Sequence, residues 1–248
     1  MKPIVGVVPT AHLFETDDFY KDNYIFVNNY GKRIAENGGV PMGLLASDGQ
    51  AFEDALEHCD AFVICGGARI FPYHFQTVEH AVKTGKRLLG ICLGMQVIHS
   101  YFIVEDEAKR RGWADSLLAL YEQMKREKYM FTRPVEHHWD VHMTRTTIEE
   151  TKHAVSVAPD TLLARLTGSD VIRVSTMHRY RVDAPSPRLT VILSPWILMP
   201  PDTSVIAAPK RVPPAMSTVE PSSPISIPTP LSGSGPRLLP PLRYCCCE

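Results

Sequence analysis

Short apolar runs of strand length alternate along this chain with stretches whose apolar positions recur three and four apart. The run "IVGVVPT" from Ile4 to Thr10 predicts a buried strand. In "NYIFVNNYGKRIAENGG", Ile25, Val27, Tyr30, Ile34 and Ala35 follow near-helical spacing, and Gly38-Gly39 supply a helix stop. "VPMGLLA" predicts a second strand, "FEDALEHC" a short helix, and "AFVICGG" a third strand ending on paired glycines. "FQTVEHAVKTGK" predicts a helix stopped at Gly85, "RLLGI" a fourth strand and "LGMQVIHSYF" the helix after it. Strictly alternating strands and helices predict an α/β fold, a mostly parallel sheet sandwiched by helices. Sites in such sheets lie at the carboxyl ends of the strands.

Farther along, Trp113, Leu117, Leu120, Tyr121 and Met124 form one amphipathic stripe. It predicts a single charged helix over 105–130 with one buried face, or a lid. "HAVSVAPDTLLARL" and "VIRVSTMHRYRV" read as strand, short helix, strand. Near residue 184 the pattern stops. Most of the chain's 21 prolines lie beyond it, and Pro- and Ser-rich sequence neither pairs as a central strand nor holds a helix. The expected organisation is therefore a folded domain over 1–183 and an irregular tail over 184–248.

Composition narrows the function classes. Lys plus Arg number 26 and Asp plus Glu 27, for a net charge of -1. That balance gives no reason to expect nucleic acid or an acidic membrane surface as partner. The opening "MKPIVGVVPT" lacks a cleavage site, and no apolar run reaches the ~20 residues of a membrane helix. Of the six cysteines, Cys245, Cys246 and Cys247 sit together at the C-terminus and Cys59, Cys65 and Cys92 lie in apolar surroundings. No CxxC pair occurs, so neither a disulfide framework nor a zinc site is expected, and reduced cytoplasmic thiols are. His137, His138 and His142 cluster in "HHWDVH", which reads as a loop border rather than a metal site. No cofactor is expected.

The chemistry concentrates at "RLLGICLGMQ". Cys92 falls where a strand ends and a helix begins, with Gly90 and Gly94 two positions away on either side. This is the glycine-flanked spacing of a nucleophile elbow. The sharp turn needs small neighbours. The helix N-terminus favours thiolate, and the Leu93 N–H faces a developing oxyanion. Gly66-Gly67, directly after the third strand, read either as a simple strand-ending turn or as a second oxyanion donor. The competing reading of Cys92 is a buried structural cysteine.

The segments "ICGG…P", "GKRLLGICLGMQ" and "HAVSV…LLARLTGSDVIRVSTMH", with "KPIVGVVP" and "GGVPMGLL", resemble the class I glutamine amidotransferase-like superfamily. Within it they are most similar to the gamma-glutamyl-gamma-aminobutyrate hydrolase-like branch. The resemblance runs from about residue 2 to about residue 183 and is weakest through 105–135. It implies a flavodoxin-like three-layer fold and hydrolysis of a gamma-glutamyl amide through a cysteine thioester. Residue by residue, it makes Cys92 the nucleophile and Gly67 and Leu93 the oxyanion-hole donors. It places Gln96, Ser175 and His178 around the substrate. The implied partner is a small-molecule gamma-glutamyl amide or glutamine; oligomeric state is not implied.

One element of that family pattern is missing. Its His-Pro-Glu base element has no counterpart, for no histidine follows His178 and the later glutamates are Glu220 and Glu248. Loss of a general acid–base forfeits ~10²–10⁴-fold in rate. A frameshift near 190–195, a non-catalytic ligand-binding relative, or a substitute histidine such as His178 would each account for it, and the abrupt change of composition favours the first. His99 lies about two turns along from Cys92, too far for a direct hydrogen bond. A glutaminase subunit feeding a separate synthase is the remaining alternative.

Overall fold

The computed structural model describes residues 1–13, 17–46, 49–135, 144, 146–175, 178–182, 184–189 and 193–195. All of them belong to the first of two compact units, Met1–Trp196 with Pro240–Glu248; the second, Ile197–Leu239, lies outside the described residues. At the centre is a parallel sheet of four strands: β1 (Ile4–Val8), β4 (Val40–Gly43), β5 (Ala61–Ile64) and β6 (Arg87–Gly90). Their order is β4-β1-β5-β6. Helix α1 (Asn28–Glu36) connects β1 to β4, α2 (Gly49–Glu57) connects β4 to β5, and α3 (Pro72–Thr84) connects β5 to β6. Helix α4 (Leu93–Arg111) follows β6 directly. The α/β architecture read from the alternating pattern is the one observed.

The chain steps outward from β1 to β4, then back across β1 to β5 and on to β6. Because such crossovers are right-handed, the reversal sets α1 on one face of the sheet and α2 and α3 on the other. The faces are unequal. Val8, Phe62, Ile64 and Leu88 point into the main core with Phe52 and Leu56 of α2, Phe75 and Val78 of α3, and Val97, Ile98 and Phe102 of α4. Helix α1, packed on β1 and β4, buries none of its own residues. The reversal also marks the crevice outside the carboxyl ends of β1 and β5 as the place for a ligand.

Two details differ from the periodicity reading. Ile25 belongs to a strand, β3 (Asn23–Ile25), paired antiparallel with β2 (Thr10–His12), and α1 begins only after Val27. Apolar residues at near-helical spacing here straddle a strand and a helix. The single helix expected over 105–130 is two. Gly112 ends α4 in the left-handed conformation, φ 62°. Ser116 then caps α5 (Leu117–Arg126) by accepting a hydrogen bond from the Ala119 N–H at 3.2 Å. Leu120, Tyr121 and Met124 are buried as the stripe requires. The stop and the cap were visible in the sequence; the unbroken stripe masked them, because Trp113 and Leu117 still pack on the core from across the break.

The remaining strands form antiparallel ribbons. β8 (Lys152–Val157), α6 (Leu162–Thr167) and β9 (Val171–Ser175) follow the expected strand–helix–strand order, and β7 (Arg133–Pro134) pairs with β10 (Tyr180–Arg181). Strand β11 (Leu193–Pro195) pairs antiparallel with β8. Backbone pairing thus continues past the compositional boundary near residue 184. The approach to β11 is clasped to α4. His99 Nδ1 accepts from the Ser186 N–H at 3.2 Å. Arg188 pairs with Glu105 and with Asp106 and lies 4.3 Å from the centre of the Phe102 ring.

Two imidazoles carry a pH signature. Burial pushes His99 down to about 4, against a hydrogen bond to the Phe131 backbone that works the other way. Burial likewise pushes His74 down to about 4, while its Nδ1 accepts from the Phe71 N–H at 2.9 Å. The unfolded chain therefore binds more protons than the folded one between their ordinary value of 6.5 and about 4. The contribution is complete above the upper value and is lost as pH falls through the window, on the order of 3 kcal/mol per group. Urea unfolding measured across that window should show stability falling with acidity. His99→Gln, which keeps an acceptor for Ser186, should flatten the slope; an unchanged slope would refute the role given to His99.

Candidate active site

The site is assembled from backbone before any side chain enters it. The Ile91 N–H still donates to the Ile64 carbonyl at 3.0 Å, so ladder pairing between β5 and β6 persists up to the residue before Cys92. The chain then reverses into α4 within one residue. Cys92 stands at the N-cap with φ 52° and ψ -105°, a conformation that side-chain-bearing residues avoid. The Gly94 N–H closes the turn onto the Ile91 carbonyl at 2.9 Å, and the Gln96 N–H donates to the Cys92 carbonyl at 3.3 Å.

The two flanking glycines are required by space. A Cβ on Gly94 would run into the Ile64 carbonyl, and one on Gly90 would run into the Gly94 backbone and the Ile98 side chain. The first turn of α4 therefore lies directly on the backbone of β5 and β6. The strand–turn–helix geometry expected from the glycine spacing is present, with Cys92 at the N-cap of α4 and not within the helix. Cys92 itself is half-buried.

The glycine pair after β5 reaches the same place. An ideal Cβ on Gly66 would lie 3.3 Å from the Cys92 Cβ. One on Gly67 would lie 3.1 Å from the Leu93 Cδ2 and in collision with Thr10. Gly67 and Leu93, the two expected oxyanion donors, thus adjoin at the carboxyl edge of the sheet. Gln96 is half-buried one turn along α4. Ser175 ends β9 and His178 precedes β10, so both belong to the antiparallel ribbons rather than to the β5–β6 edge. Ser175 is half-buried and His178 buried. His137, His138 and His142 lie outside the described residues.

Tyr30 is the residue of this neighbourhood that sequence reasoning passed over. It counted only as part of an apolar stripe, yet its hydroxyl lies 3.6 Å from the ideal Cβ position of Gly66. Burial pushes its phenol upward, the Cys65 and Cys92 thiols add to that, and a hydrogen bond with the Gly66 backbone opposes it. An amphipathic helix with one tyrosine facing its sheet carries no signal of this. Among the described residues no group of three or more His, Cys, Asp or Glu could hold a metal ion, and no helix is long and apolar enough to cross a membrane.

The elbow makes two stability predictions, both measurable by chemical denaturation. Gly94→Ala should destabilise by about 1–3 kcal/mol, since its methyl must displace backbone rather than a flexible side chain. Cys92→Gly should be more stable than Cys92→Ala by about 1 kcal/mol, because only glycine is at ease at that φ. The reverse order would mean that the turn is unstrained.

Comparison with known proteins places this architecture in a family. The family model described as Peptidase C26 matches residues 3–84 and 119–195, two segments that flank the elbow. A glutamine amidotransferase from Thermotoga maritima is similar in structure at 15% identity, covering 79% of this chain and 68% of its own, with a TM-score of 0.46. A putative GMP synthase subunit from Thermoplasma acidophilum is similar at 15% identity, covering 79% and 74%, with a TM-score of 0.48. The glutaminase domain of CTPS from Trypanosoma brucei, solved with bound acivicin, is similar at 17% identity, covering 73% and 68%, with a TM-score of 0.46. No curated protein matches the chain in sequence. With its model matched over more than half of the sequence, the chain belongs to the Peptidase C26 family.

Proposed function

We propose that this protein hydrolyses gamma-glutamyl amide bonds through a thioester on Cys92. The observation that carries the reading is the conformation of Cys92, φ 52° and ψ -105° at the head of α4, between two glycines that admit no side chain. A structural cysteine gains nothing from such a turn. A nucleophile gains exposure above the sheet edge and the positive end of a helix, which favours its thiolate. Membership of the Peptidase C26 family agrees with cysteine-dependent amide cleavage.

In the proposed reaction the Cys92 sulfur attacks the gamma carbonyl. The resulting oxyanion is held by the Gly67 and Leu93 N–H groups. The amine departs with a proton, and water then cleaves the thioester to release glutamate. Gln96 is assigned to the glutamyl end of the substrate, and Ser175 and His178 to the border of its pocket. No histidine follows His178, so the acid–base contribution of a C-terminal partner is absent from this scheme. Turnover is expected to be ~10²–10⁴-fold below that of an enzyme with a complete base.

A diazo-ketone analogue of glutamine tests the nucleophile separately from turnover. Intact-mass and peptide mapping should find one adduct, on Cys92, lost in Cys92→Ser and suppressed by an excess of a gamma-glutamyl amine. A folded protein that takes no label at neutral pH would sink the proposal. Product analysis with gamma-glutamyl amines beside glutamine should show the amines cleaved faster. Preference for glutamine would indicate a glutaminase.

A further inference from the structure

A second thiol stands beside the elbow and plays no part in the proposed reaction. Cys65 is the residue after β5, 1% exposed. β5 and β6 run parallel with Ile64 opposite Gly90, and the Ile91 N–H bonds the Ile64 carbonyl. Cys65 therefore lies level with Ile91, one residue short of Cys92. Cys92 leaves the ladder at the next residue, where its positive φ turns the chain, so its Cα lies one step of about 3.8 Å from a residue level with Cys65.

The side chains agree with the backbone. Phe62 and Ile64 enter the main core and Val63 does not, so the strand's alternation continues Cys65 onto the face of α1 and Tyr30. Around Gly66, the residue between Cys65 and the elbow, the Cys92 Cβ and the Tyr30 hydroxyl meet the same point, at 3.3 and 3.6 Å. Having no side chain, Gly66 places no atom of its own between β5 and the cysteine of the elbow. Both thiols add to the upward push on the Tyr30 phenol.

We infer that Cys65 and Cys92 form a peroxide-responsive pair, in which Cys65 captures oxidised Cys92 as a disulfide. A hydroperoxide is the oxidant. The Cys92 thiolate attacks one peroxide oxygen, the O–O bond breaks, and hydroxide or alkoxide leaves, giving Cys92 sulfenic acid. The Cys65 sulfur then attacks the Cys92 sulfur. The S–O bond breaks, the Cys65 proton departs with the hydroxyl as water, and the S–S bond remains. The order of events follows from exposure. Burial pushes the Cys65 thiol up to about 12, so it resists direct oxidation, whereas Cys92 is half-buried. Cys59 is no alternative partner: it precedes β5 while Cys65 follows it, roughly 20 Å apart along an extended strand. The disulfide would block the nucleophile reversibly and protect it from irreversible oxidation.

This rests on the proposed function only in requiring Cys92 to be a reactive thiol, which labelling of the reduced protein reports independently. The full chain is reduced, exposed to hydrogen peroxide, alkylated and digested without reductant. Trypsin with an Asp-specific protease separates all the relevant cysteines, cutting at Asp60 between Cys59 and Cys65 and at Arg69 and Arg87 before Cys92. Mass spectrometry should find Cys65 linked to Cys92. Electrophile labelling of Cys92 should fall about tenfold and return with dithiothreitol. In Cys65→Ser and Cys65→Ala the label should be lost without recovery, Cys92 appearing as sulfinic or sulfonic acid. Full recovery in those variants, a Cys92 linkage to Cys59 or to Cys245–Cys247, or no loss of labelling would each overturn the inference. The wild-type linkage map decides the matter even where a variant at the buried position folds poorly.

Discussion

The direct contact of backbone on backbone at the head of α4 is the constraint from which the site follows. Gly94 meets the Ile64 carbonyl and Gly90 meets Gly94, so the helix starts closer to the sheet than side chains allow. That closeness compels the chain to turn within one residue, and the residue that turns is Cys92, at positive φ. Strain of this kind costs about 1–3 kcal/mol and persists only where surrounding packing enforces it. Here the enforcement comes from α4 itself, which buries Val97, Ile98, Tyr101 and Phe102 against the sheet and its neighbouring helices. The core therefore holds the elbow in place, and the elbow presents the thiol.

Helix α4 also joins the site to the far end of the described chain. Its N-terminus carries Cys92. Its middle carries His99, which holds the Ser186 backbone. Its later turns carry Phe102, Glu105 and Asp106, which hold Arg188. The Ser186 contact is buried and made by a neutral imidazole, whereas the Arg188 pairs are partly exposed and individually weak. The clasp thus depends mainly on His99, and through it β11 is delivered to β8. The opposite side of the sheet is more sparsely built, since α1 buries no residue of its own. Tyr30 nevertheless reaches from that helix to the glycines beside the thiol.

Much of this was legible in sequence where neighbours along the chain decide the outcome. The four parallel strands, the glycine stop of α3 at Gly85 and the strand–elbow–helix unit at Cys92 all rest on apolar period, caps and glycine spacing. Where two local signals competed, the stronger-looking one misled. An unbroken apolar stripe concealed the stop at Gly112 and the cap at Ser116. Composition after residue 184 argued against pairing, yet Leu193–Pro195 forms an edge strand, a place where proline is tolerated. Tyr30 carried no local mark, because its relation to Gly66 exists only after α1 has folded onto the sheet.

By itself, then, the sequence determined an α/β chain with a glycine-flanked cysteine at a strand–helix junction, since sterics within a few residues are sufficient for that. Tertiary structure alone decided which groups stand around that cysteine. The glycine pair after β5, the Tyr30 hydroxyl and the Cys65 thiol arrive from other parts of the chain. The anchoring of residues 184–189 spans 87 positions from His99 to Ser186. These relations come from which strands lie side by side and on which face each helix packs. That is a property of the closed sheet and its core, and no stretch of sequence carries it alone.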